Sequence, residues 1–100
     1  MKEKSVIIKR LKLVKMYNHL QRRLKKGEEI LLSDEEKTAI ESSDSRILNA
    51  PLLLRQVYEQ IYHNDKTQKT LADDLGVTER YVRKLHKQMV EYLQSFNEAN

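Results

Sequence analysis

Four cations in the last quarter of the chain, Arg80, Arg83, Lys84 and Lys87, are spaced so that a helix gathers them within about 100° of one another. No acid interrupts the run from Arg80 through Val90. The same helix sets Val82, Leu85, Met89, Leu93 and Phe96 on its other side, so an apolar stripe would hold it down while the cations face water. Guanidinium and ammonium groups in this arrangement are donors for phosphate oxygens and for the acceptor edge of guanine. Thr78, Glu79 and Tyr81 fall at the amino end of the helix, the part from which side chains reach base edges. Arg80 and Arg83 are therefore candidates for base reading and Lys84 and Lys87 for phosphate contact, with Gln68 and Lys69 as further candidates on the element before. A solvated polar face could carry four bases, but solvation alone does not explain why acids are missing from it.

The elements that must position these groups lie just upstream. Two helices crossing steeply through a turn of three or four residues need particular residues at fixed places. Ala72 is small enough to let the helices approach, and Gly76 can adopt the positive φ that the turn demands. Leu71, Leu75, Val77, Val82 and Leu85 are expected to fill the shared core, and Thr78 to cap the second helix. Pro51 suits the first turn of an earlier helix in which Leu54, Val57, Tyr58 and Ile61 have helical spacing to about His63, with Asn64 and Asp65 ending it.

The stretch Leu71-Ala72-Asp73-Asp74-Leu75-Gly76-Val77-Thr78-Glu79-Arg80-Tyr81-Val82-Arg83-Lys84-Leu85 resembles the general bacterial helix-turn-helix pattern. It is similar to region 4 of sigma factors and to small regulators of phages and mobile elements. The resemblance spans about 20 residues, or about 45 with Leu52–His63 as the supporting helix, and says nothing specific about residues 1–50. It implies a trihelical unit over residues 51–97 that binds double-stranded DNA and regulates transcription in a bacterium, phage or mobile element. After Phe96 only Asn97 to Asn100 remain, too few for a β-wing. The competing interpretation of the same residues is an ordinary helical hairpin that Gly76 merely terminates.

The rest of the chain is expected to complete one all-α domain of four to five helices: two glycines, one proline and an excess of Leu, Lys, Glu, Gln and Arg leave few breaks. Residues 1–27 have the pattern of a basic amphipathic helix, with Val6, Leu13, Tyr17, Leu20 and Leu24 on one stripe, widened by Ile7 and Val14, and Gly27 as its stop. Lys12, Lys15, Arg22, Arg23 and Lys26 gather opposite, either as a solvated face, as a second set of phosphate contacts or as a surface for an acidic protein partner. Residues 28–50 should form a short helix, Asp34 to about Ser42, opened by a Ser33/Glu36 capping box and closed by a loop at Ser42-Ser43-Asp44-Ser45. Met89, Tyr92, Leu93 and Phe96 extend the apolar stripe past the motif, either to pack on the first helix or to form a homodimer surface.

Charge is unevenly placed. Residues 1–26 carry a net +9, residues 27–74 a net −6 and residues 75–100 a net +1, so an acidic middle separates two segments able to meet a polyanion. The absence of cysteine excludes disulfides and thiolate metal sites and suits a cytoplasmic protein. His19, His63 and His86 lack metal-ligand spacing and are expected at the surface, with His86 at a flank of the motif helix from which it could meet a phosphate. Neither a phosphate-binding glycine loop nor a nucleophile elbow occurs, Asp73 and Asp74 point apart on a helix, and the five tyrosines have core spacing, so no enzyme activity and no cofactor are expected. The apolar positions of the amino-terminal segment are broken by Lys9, Arg10, Lys12 and Lys15, which argues against membrane insertion. Two functional classes remain. One is a sequence-specific DNA-binding regulator, with packaging or replication as neighbouring roles. The other is an adaptor binding RNA polymerase or another protein partner.

Overall fold

The computed structural model describes residues 2–98, with the side chains of residues 5–96. The side chains of residues 97 and 98 and the whole of residues 99 and 100, on which the expectation about a β-wing rests, fall outside it. Among the described residues the chain is all helical: α1 Lys2–Arg23, α2 Asp34–Ile47, α3 Leu52–Tyr58, a π-helical turn Glu59–His63, α4 Gln68–Leu75 and α5 Glu79–Glu98.

The long α1 needs no special device, since nothing in it breaks a helix. It ends three residues before the expected Lys26. The Glu28 carboxylate accepts the Lys25 N–H (2.7 Å) that a continuing helix would give to Gln21, and Glu28 N–H closes a turn on Lys25 C=O (3.0 Å) with Gly27 at φ +88° inside it. Gly27 is thus a turn glycine rather than the residue just past a helix end.

The face that α1 buries matches the expected stripe in part: Ile7 and Val14 are buried and Leu13 and Tyr17 pack against the core, but Val6 and Leu20 lie outside it. Its buried row is Ile7, Leu11 and Val14, whereas Val6 and Leu20 are each 39% exposed. Apolar residues cover so much of this helix that either row could have faced inward. Asn18 donates its side-chain N–H to Val14 C=O (2.9 Å) and to Tyr62 C=O (3.3 Å), fixing that edge of α1 against the π-turn.

In α2 the capping box is complete, with Glu36 N–H donating to Ser33 Oγ (3.1 Å) and Ser33 N–H to Glu36 Oε1 (2.9 Å). The helix then runs straight through Ser42–Ser45, where a loop was expected. Continuing the helix puts Ile40, Ser43 and Ile47 on one buried face, and Asp44 becomes a side-chain anchor for the next element. Burial of Ile47 outweighs the weak turn preference of three serines.

Pro51 precedes α3, its C=O accepting from Leu54 and Arg55 N–H (3.0 and 3.1 Å). Leu54, Val57, Tyr58, Ile61 and Tyr62 are all buried, and the wider π turn is closed by Asn64 N–H to Glu59 C=O (2.9 Å). These side chains join Ile7, Leu11 and Val14 of α1, Leu71 and Ala72 of α4, and the inner row of α5 in one core. Because Leu11 is 1% and Leu20 39% exposed, Leu11→Ala should cost about 2–5 kcal/mol in urea denaturation, and Leu20→Ala well under that.

Candidate nucleic-acid interface

The candidate surface is built on α4, the turn after it and the first half of α5. Thr67 caps α4, its Oγ1 accepting from Thr70 N–H (3.0 Å), and an exposed ion pair from Lys66 to Asp74 (2.6 Å) ties the chain entering α4 to its last turn. Gln68 and Lys69 lie in the first turn of α4, half-buried and exposed respectively. The helix closes with Val77 N–H on Ala72 C=O (3.0 Å), Gly76 N–H on Asp73 C=O (3.2 Å) and Gly76 at φ +70°. No atom lies within 4 Å of where a Cβ on Gly76 would sit, so glycine is required by its backbone angle and not by space. A side chain there would cost about 1–2 kcal/mol.

Thr78 starts α5: its Oγ1 accepts from Tyr81 N–H (3.1 Å) and its C=O from Val82 N–H (3.2 Å). Ala72, Leu71, Val82 and Leu85 are buried between the two helices, as their types require. Leu75 and Val77, expected with them, are 38% and 36% exposed. The turn carries them outward, and the buried residues between α4 and α5 are the smaller set.

All the expected contact residues of α5 reach solvent: Thr78, Glu79, Arg80, Tyr81, Arg83, Lys84 and Lys87 are exposed. Arg83 is paired with Glu79 one turn back (Nη1 to Oε2, 3.8 Å), with both side chains about half-exposed. Exposed pairs of this kind contribute about 0–1 kcal/mol, so Arg83 can exchange Glu79 for another acceptor cheaply. No ion pair among the described residues engages Arg80, Lys84 or Lys87.

The second half of α5 turns out to be interior. Met89 and Leu93 are 0% and 1% exposed within the chain's own core, so of the two expected roles they take internal packing and are not available to a homodimer surface. Tyr92 and Phe96 are half-buried, packed edge to face on each other (5.3 Å), with the Arg46 guanidinium over the Phe96 ring (5.3 Å). The extension belongs to the chain's own core, and α5 as a whole packs against α1, α2, α3 and α4.

The amino-terminal cations divide. Lys12, Arg23 and Lys26 are exposed. Lys15 and Arg22 instead converge with His19 on Asp65, at 3.7, 3.9 and 2.8 Å, and Arg22 also donates to the His63 carbonyl. Asp65 has a left-handed backbone (φ +58°) between the π-turn and α4. The hydrogen bond from His19 holds its carboxyl below the usual carboxylate range against the opposing effect of burial, and the charges of His19, Lys15 and Arg22 add to the lowering. The sequence marked Asp65 only as a helix end. An acid in a segment that must return past a strongly basic helix was the available signal.

The other two histidines are also committed to partners. His63 donates from Nε2 to Asp44 Oδ1 (2.9 Å), which accepts the Tyr58 hydroxyl as well (2.6 Å). His86, expected near a phosphate, is hydrogen bonded through Nε2 to the Tyr62 hydroxyl (2.5 Å) and turned away from the cationic face. Burial raises the Tyr58 hydroxyl, reinforced by Asp44, and pushes Tyr62 up to about 12, so both remain neutral donors in the physiological range. Among the described residues no group of His, Asp or Glu side chains could hold a metal ion, and no helix is long and apolar enough to cross a membrane.

Burial lowers the His86 pKa below its ordinary 6.5. The unfolded chain therefore takes up a proton first as pH falls, and the stabilisation present above 6.5 is lost as pH drops toward the folded value. Urea denaturation at pH 7.5 and 5.5 should show a loss of stability on acidification that is smaller in His86→Gln, and an imidazole signal titrating below 6.5 identifies the group.

No protein-family model, curated protein or solved structure matches this chain.

Proposed function

We propose that the protein binds double-stranded DNA, with α4, the Gly76 turn and α5 acting as a trihelical helix-turn-helix supported by α3. The observation that carries this reading is one face of α5. Arg80, Arg83, Lys84 and Lys87 are exposed together, with Thr78 and Tyr81 at the amino end, on a helix whose opposite row is buried. A helix of this kind fits the major groove, where paired guanidinium donors match guanine acceptors and lysines meet flanking phosphates. Glu79 would accept from cytosine or release Arg83 to a base. Gln68 and Lys69, in the first turn of α4, would meet the backbone. Sequence-specific binding by a small chain suits transcriptional regulation in a bacterium, phage or mobile element, and the same reader would serve packaging or replication.

A second reading has its own support. Leu48, Leu52 and Leu53 are 68%, 59% and 43% exposed at the corner between α2 and α3. Such a patch suits docking on a protein, as an adaptor to polymerase would require.

Selection from random duplexes at two salt concentrations separates the two. The DNA reading expects one enriched motif, with Arg83→Ala costing about 1–3 kcal/mol and relaxing a single position. Lys84→Ala and Lys87→Ala should weaken all sequences alike and each reduce the salt slope by about 0.9. No enriched motif, with affinity indifferent to salt, would sink it in favour of the adaptor.

A further inference from the structure

The corner between α2 and α3 leaves apolar side chains uncovered. After Leu31, Leu48 and Leu52 are the most exposed large apolar residues among those described, at 68% and 59%, and Leu53 beside them is 43% exposed. Leu48 and Leu52 line a groove of about 580 Å³ formed by α2, α3 and the π-turn, with the buried Ile47 and Tyr58 among its walls. That volume is many times the ~30 Å³ of a water molecule, so the groove has room for the side chains of a partner. Leucines left this exposed around a depression mark a protein-binding surface rather than a solvated one.

The charges lining the groove narrow the choice of partner. Asp44 is already engaged by Tyr58 and His63. That leaves Arg55 and Glu59, both exposed, and neither makes an ion pair or a side-chain hydrogen bond among the described residues. They stand one helical turn apart, about 6 Å along the axis, within reach of each other but unpaired. A strongly acidic or strongly basic partner would gain from one of them and be repelled by the other. A helix carrying the same two charges in reverse order satisfies both, and this chain supplies one in its own α3 turned end for end. The cationic segments elsewhere would repel a second copy, since residues 1–26 carry a net +9 and no acid interrupts α5 from Arg80 through Val90.

We infer that the protein forms a two-fold homodimer through this groove, with Arg55 of each copy paired to Glu59 of the other. Such an interface is isologous, one patch meeting itself. The axis crosses α3 beside Gln56, and the antiparallel register carries Leu52 of each copy along the Tyr58 to His63 end of the other, where it closes on the groove. The inference goes beyond the DNA-binding reading and does not depend on it. It assigns to a second copy the leucines that the adaptor reading gives to a different protein.

The test is sedimentation equilibrium of the full chain without DNA, from about 1 μM to about 1 mM, a range that brackets moderate affinities. It compares wild type, Arg55→Glu, Glu59→Arg, the swap Arg55→Glu/Glu59→Arg, Leu52→Ser, and an equimolar mixture of the two single reversals. The three positions are exposed, so circular dichroism should show every chain as helical as wild type. Wild type should pass from monomer to dimer as concentration rises. Each reversal sets like charges together twice and should weaken the dimer at least about tenfold, as should Leu52→Ser. The swap and the mixture rebuild both pairs and should recover most of the wild-type affinity. Recovery in the mixture requires two copies facing each other across these residues, which no change within one chain can imitate. A wild type that stays monomeric throughout overturns the inference and leaves the leucines to a different protein. A dimer untouched by the reversals and by Leu52→Ser overturns this face as the interface. Weakening in both reversals with no recovery in the mixture overturns the two-fold pairing. No duplex enters these measurements, so their failure and that of the DNA-binding reading are distinct.

Discussion

Everything in this molecule hangs on the burial of one row of α5. Val82, Leu85, Met89 and Leu93 are each 4% exposed or less, so the helix is held to the core along nearly its whole length. Full burial of such side chains is worth about 1.5–3 kcal/mol apiece, several times what any exposed charge on the helix could return. The rotation of α5 is therefore set by its apolar row, and the cations opposite have no choice but to face water. A cationic face that exists because the other face is buried is pre-organised: it needs no ordering when an acceptor arrives.

A second layer of polar contacts decides how the remaining helices sit around that row. The π-turn supplies most of it. Tyr58 and His63 reach Asp44 on α2, Tyr62 reaches His86 on α5, and Asn18 of α1 bonds the Tyr62 carbonyl. Three elements, α1, α2 and α5, are thus tied to the irregular turn and to Tyr58 just before it. Tyr58 and Tyr62, four residues apart across the start of the wide turn, are both buried with their hydroxyls satisfied by Asp44 and His86. Each bond contributes about 1 kcal/mol, less than the apolar burial. Their effect is on orientation, which a uniformly apolar interface does not specify.

That division explains what could be read in the sequence. Devices that act within a few residues were legible: the Ser33/Glu36 box, Gly76 with its left-handed backbone, Thr78 at the start of α5, and the row from Leu54 to Ile61. Each is a local rule satisfied by local atoms. What depended on distant partners was not. The apolar residues of α1 spread over more than one row, and Asn18 and the cations on Asp65 meet partners more than 40 residues away that its own sequence does not show. Ser42–Ser45 has turn composition but is held in a helix by Ile47 and by Asp44, whose partners lie 14 and 19 residues away. Leu75 and Val77 fit a helix-turn-helix consensus, yet the core closes without them. The cationic face of α5 was visible because helical periodicity alone determines it. The clamp of Lys15, His19 and Arg22 on Asp65 spans more than 40 residues of sequence and was hidden for that reason.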